Sequence, residues 1–303
     1  MVRASAVLVC MAVALPLQAQ SRDARPPQTD QTIQISRGIR LAVDNMAGDV
    51  VIHVWDKDAV RVQARHAART RIKIRNRDNV LSLSADDSSG PAGAIDYDIT
   101  TPAWLPLTID GQYNDVIVEG VQGEIGVETV RGDIVLKGTS GPVEASTIEG
   151  EIVVEGGRGK ISLSSVNEGI KVSGTSGELS AETTNGSITL TRMNASSIEA
   201  ATVNGDISYE GTLVDKGGYN LQSHNGDILL TVPESSNATF SVRTYNGEFA
   251  TSLPLKGPDR SEVKPGKRAI YVLGTGSADV ELESFGGAIQ LRRTAAPRTS
   301  RDQ

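Results

Sequence analysis

The chain has 303 residues, of which 38% are hydrophobic, 4% aromatic and 22% charged, with 31 glycines, one cysteine and a formal net charge of −7. Soluble proteins carry about 7% glycine, so this excess calls for a backbone that turns often. Few aromatic residues and an acidic balance speak against nucleic-acid binding, and three histidines (His53, His66, His224) with one cysteine leave little material for a transition-metal site.

Residues 1–19, MVRASAVLVCMAVALPLQA, place Arg3 before an apolar run from Ala4 to Leu15 and end on the small residue Ala19. That is the pattern of a secretory signal peptide cut after Ala19. The run is shorter than the roughly 20 residues a spanning helix needs, and no later stretch approaches it, so the chain is expected to be exported, to the periplasm, the outer surface or the medium, without a transmembrane segment. Cys10 follows Val9 inside the run and reads as an apolar residue rather than a lipidation site. Cleavage would remove the only thiol and leave a mature chain one charge unit more negative.

Residues 20–32 are polar, carry Pro26-Pro27 and read as a disordered leader. From Ile33 to Gly120 apolar residues alternate, as in Val50-Val51-Ile52-His53-Val54, and the segment is expected to be β-rich and to cap or begin a repeat structure. Within it Arg69, Arg71, Lys73, Arg75 and Arg77 alternate with Thr70, Ile72, Ile74 and Asn76, which on a strand puts five cations on one face. The stripe could bind an anionic polymer. The preferred reading is a charged edge strand that discourages unwanted pairing. Trp104, between Pro102 and Pro106, reads as a packed cap residue in an extended connector rather than an exposed sugar platform.

From Val121 glycine recurs at 123, 132, 141, 150 and 159, and again at 177 and 186, each opening a short alternating phrase such as Gly150-Glu-Ile-Val-Val154. A longer beat overlies it: Ser or Thr, a variable residue, then often Asn-Gly, starting at Thr129, Thr147, Ser165, Thr183, Thr202, Ser223, Thr244 and Ser284. A strict 18-residue period, stretching to 21, implies an all-β parallel solenoid (β-helix-like) of about eight coils over 121–291, stacked about 4.8 Å apart. Its interior column would run Ile134, Ile152, Ile170, Ile188, Ile207, Ile228, Phe249 and Ile289. Asn167, Asn185, Asn204, Asn225 and Asn246 would form a structural corner, tolerating left-handed backbone and stacking as an amide ladder; a ligand-binding ridge is the alternative. The 40-residue interval from Thr244 to Ser284 holds Pro254, Pro258 and Pro265 and reads as a surface loop, Ser284–Leu291 as a terminal coil, and residues 292–303 as a loose basic tail.

Asp133, Glu151, Asp206, Asp227 and Glu248 open repeat phrases and could gather hard cations. No Gly-Gly-x-Gly-x-Asp repeat accompanies them, and a solvated ridge is the preferred reading, so no metal or cofactor is expected. Asp86-Asp87 and Arg71-Ile72-Lys73 look like fragments of polysaccharide-hydrolase motifs, but in the wrong order and outside the repeat. The three histidines lie in strand-like or variable positions and suggest no catalytic set.

The phrases Thr183-Thr-Asn-Gly-Ser-Ile-Thr-Leu190, Thr202-Val-Asn-Gly-Asp-Ile-Ser-Tyr209 and Ser223-His-Asn-Gly-Asp-Ile-Leu-Leu230 resemble the bacterial β-strand-repeat family labelled "putative adhesin", a domain of unknown function in secreted and envelope proteins. The similarity runs from about Leu41 to Leu291. It implies a β-solenoid with an adhesive or scaffolding role and supplies no catalytic residues. Arg131-Gly132 and Glu149-Gly150 depart from the Asn-Gly corner in the early coils. The expected function is therefore non-catalytic binding to, or scaffolding of, envelope polysaccharide or another surface protein, with oligomeric state open. The alternatives are a polysaccharide-active β-helix enzyme and an envelope-sensing role.

Overall fold

The computed structural model describes residues 27–87, 93–259 and 263–294. The expected signal peptide and residues 295–303 of the expected tail lie outside them. The described residues are all-β, without a helix, and form one long sheet of 25 strands that nearly closes on itself. The N-terminal strands are β1 (Thr29–Gln34), β2 (Arg40–Ala47), β3 (Val50–Trp55), β4 (Ala59–Arg65), β5 (Thr70–Arg77), β6 (Val80–Asp87) and β7 (Asp96–Pro102). A regular middle follows: β8 (Leu107–Tyr113), β9 (Val116–Glu119), β10 (Ile125–Arg131), β11 (Ile134–Lys137), β12 (Val143–Glu149), β13 (Ile152–Glu155), β14 (Arg158–Ser165), β15 (Ile170–Ser173), β16 (Ser176–Thr183), β17 (Ile188–Thr202), β18 (Ile207–Gly211), β19 (Gly218–Ser223) and β20 (Ile228–Val232). The C-terminal strands are β21 (Ala238–Thr244), β22 (Phe249–Thr251), β23 (Ala269–Leu273), β24 (Ala278–Ser284) and β25 (Ile289–Arg293).

In the middle, strands pair in parallel with the equivalent strand one period later, which is why the sequence beat is legible. One ladder aligns Val116, Ile134, Ile152, Ile170, Ile188, Ile207 and Ile228. The other aligns Leu107, Ile125, Val143, Ile161, Leu179, Ile198 and Tyr219. β17 belongs to both, its first half in one ladder and its second half in the other. The alternate residues of each ladder face the other, and the Ile column from 134 to 228 is fully buried. Each such side chain is worth roughly 1.5–3 kcal/mol of apolar burial, realised only because a neighbour lies above and below.

The register begins earlier than the glycine beat. β8 and β9 already pair at the 18-residue displacement, ahead of the boundary expected at 121. Their corner carries Asn114 where the next repeats have Gly132 and Gly150; the buried Asn114 amide donates to the Gly48 carbonyl at 2.7 Å, so composition hid the repeat.

Both ends depart from chain order. β2 lies between β6 and β8, and β3 between β7 and β9. At the other end β24 lies between β19 and β21, and β25 between β20 and β22. Ser284–Leu291 is thus an inserted penultimate layer rather than a terminal one, and Ile289 sits between Ile228 and Phe249, with Phe249 only half-buried. Antiparallel strands finish the stack: β1 on β4, β4 on β7, β5 on β6, and β23 on β21. β1 starts at Thr29, inside the segment expected to be disordered. It is fixed by its ladder on β4 and by Asp30, which accepts from Arg61 at 2.6 and 2.9 Å. Arg292 and Arg293, expected in the tail, complete β25.

Two kinds of glycine hold the corners. At Gly205, Gly226 and Gly247 an added Cβ would stand 1.9 Å from a carbonyl oxygen of the adjacent layer, so close approach excludes any side chain. Gly120, Gly138, Gly156 and Gly174 have φ between +61° and +76°, and the next repeat places Arg192 there at φ +53°, beside a register shift in the β17–β18 pairing.

Candidate binding surfaces

The alternation of β5 does place its cations on one side. Arg71, Arg75 and Arg77 are exposed, while Ile72 and Ile74 pack against the core. Lys73 pairs with Asp86 at 2.6 Å, and Arg69 precedes the strand and is exposed. β5 pairs only with β6 and is therefore the outer strand of its ladder, where a row of charges faces any incoming chain. Asp86, one of the hydrolase-like fragment residues, thus serves this hairpin; the side chain of Asp87 lies outside the described residues.

At the corner after β14, β16, β17 and β19, Asn185 donates to Asn167 at 3.1 Å, Asn204 to Asn185 at 2.8 Å and Asn225 to Asn204 at 2.7 Å. Four of the five expected asparagines form the amide ladder. Asn246 does not join it, because the inserted layer puts Phe285-Gly286 between Asn225 and Asn246, and Asn246 donates its backbone N–H to the Phe285 carbonyl. None of the five has positive φ. Their place comes from the ladder rather than from left-handed backbone.

The repeated Ser or Thr, noticed in the sequence only as a period marker, points inward. Ser223 donates to the Gly205 carbonyl at 2.9 Å and accepts from Gly226 N–H at 2.9 Å; Ser284 does the same with Gly226 and Gly287 at 3.0 and 2.9 Å. The same two bonds recur at Thr183 and Thr244. These hydroxyls satisfy corner backbone groups inside the stack.

Four of the five carboxylates in the row are similarly engaged, while Glu248 is exposed. Asp133, Asp206 and Asp227 each accept a backbone N–H from the following layer at 2.7–2.8 Å, and Glu151 pairs with Lys171 at 2.6 Å. Among the described residues no three His, Cys, Asp or Glu side chains gather as a metal site would require. His53 meets Glu119 at 3.2 Å, and His66 meets Thr29 at 2.8 Å. Trp104 is half-buried against the core, donates to Asp58 at 3.1 Å and has the Arg37 guanidinium 4.6 Å from its ring centre.

The surface that sequence reasoning missed is built from the variable residue between the inward hydroxyl and the asparagine. Adjacent layers line these residues up outside the corner. Val130, Ile148, Val166 and Val203 are 38–46% exposed, and the column ends in His224, Phe285 and Tyr245; the first two rings stack with centroids 4.8 Å apart, and Tyr245 lies tilted against Phe285 at 5.1 Å. Beside them runs an open trough of about 570 Å³, lined by Val166, Thr184 and Val203 of this column, by Ser164, Glu182, Ala201 and Gln222 from the row before the inward hydroxyls, and by the three rings. Glu283 at the ring end is committed to Arg243. The signal was in the sequence: this position is apolar or aromatic in most repeats although it faces water.

A family model matches the chain over residues 39–292, from just before β2 to within β25. The chain belongs to the Toastrack DUF4097 family. Toastrack DUF4097 is a domain of unknown function. Among solved structures, a "putative cell adhesion protein" from Clostridium sporogenes is similar to this Toastrack chain at 13% identity, over 89% of this chain and 100% of the other, with a TM-score of 0.30. A "putative adhesin" from Bacteroides fragilis is similar at 14% identity, over 87% of this chain and 96% of the other, with a TM-score of 0.47. No curated protein matches the Toastrack chain.

Proposed function

We propose that this Toastrack protein is an exported, non-catalytic β-solenoid of about eight 18–21-residue coils that binds or scaffolds components of the bacterial envelope. The observation that carries this reading is the pair of parallel ladders, which repeat each outward position layer after layer and so present straight columns of like side chains. Such a surface suits a long or repetitive partner better than a single small substrate. The signal-like segment at 1–19 supports export, and the family's envelope setting supports a partner there.

Within this reading the stripe Arg69, Arg71, Lys73, Arg75 and Arg77 protects the edge strand and is not the main contact. The test is retention of the purified full chain on envelope material, comparing the unaltered protein with a variant carrying serine at all five positions. Retention by both supports the reading. Loss of retention in the variant would move the binding site to the stripe, and failure of both to be retained would overturn the reading.

A further inference from the structure

We propose that the trough beside the exposed apolar column is a binding site for an extended, uncharged glycan lying along the stack, over Val166, Thr184 and Val203 and ending against the His224–Phe285–Tyr245 rings. The proposal rests on the surface-binding reading and names the ligand class and site.

Width is the first argument. The exposed Val166, Thr184 and Val203 form a strip one residue across; the lining row before it, Ser164, Glu182, Ala201 and Gln222, is mostly polar, and the asparagine ladder follows it one residue on in the sequence. A folded protein partner wants a broad contact, about 800 Å² a side with an apolar centre. A sugar ring presents a narrow C–H face with hydroxyls around its rim, which is the complement of an apolar floor between polar banks.

Period is the second. Adjacent strands lie about 4.8 Å apart, close to the advance of one pyranose unit in an extended glycan, so successive units meet the same lateral position in successive layers. An extended peptide lacks a comparable foothold. The strands beside the trough use their backbone N–H and C=O groups on neighbours at both sides, leaving no edge for strand addition.

Hydrogen-bonding capacity and charge narrow the class. An asparagine amide carries two N–H donors, and each ladder bond uses one of them. Hydroxyls can accept from such donors and donate to Glu182 and Gln222. No Lys or Arg is among the residues that line the trough, and Glu182 lies exposed along it. A polyanion would meet repulsion there, whereas a neutral chain would not.

The test uses the full chain and three soluble hexasaccharides: cellohexaose, N-acetylchitohexaose and, as an anionic control, hexagalacturonate, each titrated calorimetrically. At least one neutral hexasaccharide should bind, at least tenfold more tightly than its disaccharide, and more tightly than the anionic control. Val203→Glu and Phe285→Ala should each weaken it at least tenfold. Both positions are exposed, and unchanged melting temperatures would show that the variants fold. The variant with serine at the five basic positions should bind as the unaltered protein does. Failure of both neutral hexasaccharides to bind, tighter binding of hexagalacturonate, or indifference to the two trough variants overturns the proposal. Retention of the trough variants on envelope material in those cases would leave the surface-binding reading standing, while loss of all retention would remove both.

Discussion

Between Leu107 and Val232 the molecule repeats itself, and at its two ends it does not; buried polar groups record the difference. Nine buried side-chain polar atoms lack a hydrogen-bond partner among the described residues, and two of them, Asn114 Oδ1 and Thr139 Oγ1, lie in the regular middle. The others belong to Asn45, Arg65, Thr70, Tyr97 and Thr101 toward one end, and Ser241 and Arg243 toward the other. In the middle, a hydroxyl that finds a carbonyl in one layer finds it again in the next. At the ends the strands turn antiparallel and insert out of order, so each polar group needs its own solution.

The largest test of that contrast removes the inserted layer. A chain ending at Gly276 loses β24 and β25, both paired on two sides, with the buried Val280, Leu282, Ile289 and Leu291. Its melting temperature should fall by more than about 10 °C, and hydrogen exchange should show β21 to β23 unprotected. Removing residues 1–38, which among the described residues takes away one strand, the edge strand β1, should cost a few degrees.

Next come the two corner types. Gly226→Ala would drive a Cβ to 1.9 Å from the Gly205 carbonyl oxygen, whereas Gly156→Ala meets nothing within 4 Å and has only its φ of +69° to contend with. Denaturant titration should give about 3 kcal/mol for the first and about 1 kcal/mol for the second. Equal losses would show that backbone angle, rather than layer contact, governs both corners.

Two buried tyrosines compare an end with the middle. Tyr209 donates to the Thr212 carbonyl at 2.9 Å, while the Tyr97 hydroxyl has no partner. Tyr209→Phe should cost about 1 kcal/mol at neutral pH, and Tyr97→Phe nothing or a slight gain. Burial, aided by the Asp44 charge, pushes Tyr97 up to about 12 from 10. Its contribution is whole below pH 10 and is lost as pH rises toward 12, by about 3 kcal/mol. Melting curves taken across that window should fall less steeply for Tyr97→Phe.

The smallest effect separates ladder members. Asn204→Leu breaks two amide bonds and should cost about 1 kcal/mol, read as a lower melting temperature; Asn246→Leu, outside the ladder, should leave it unchanged. An unchanged melt for Asn204→Leu would refute a stabilising ladder.

The middle of the fold was legible because its period is local: an 18-residue recurrence of Gly, Ile and Ser or Thr needs no long-range knowledge to read. The ends were not, because nothing in Leu41 or Ile289 announces that its neighbours come from distant parts of the chain. The face of β5 that carries Arg71, Lys73, Arg75 and Arg77 followed from strand alternation alone, with Arg69 falling just before the strand. The asparagine ladder was legible for Asn167 to Asn225 and failed at Asn246 for the same reason the stack order did. The trough went unseen because it is formed by the position that looked least constrained, whose exposed Val, Ile and Phe residues become a surface only when layers are placed side by side.

The insertion of β24 and β25 also bears on how the molecule would carry a load. A last layer lying at the end of the stack could be peeled off one hydrogen bond at a time by a pull on the C-terminus. This one is gripped from both sides, so a tug there must shear two ladders at once, and the stack would resist unravelling from that end.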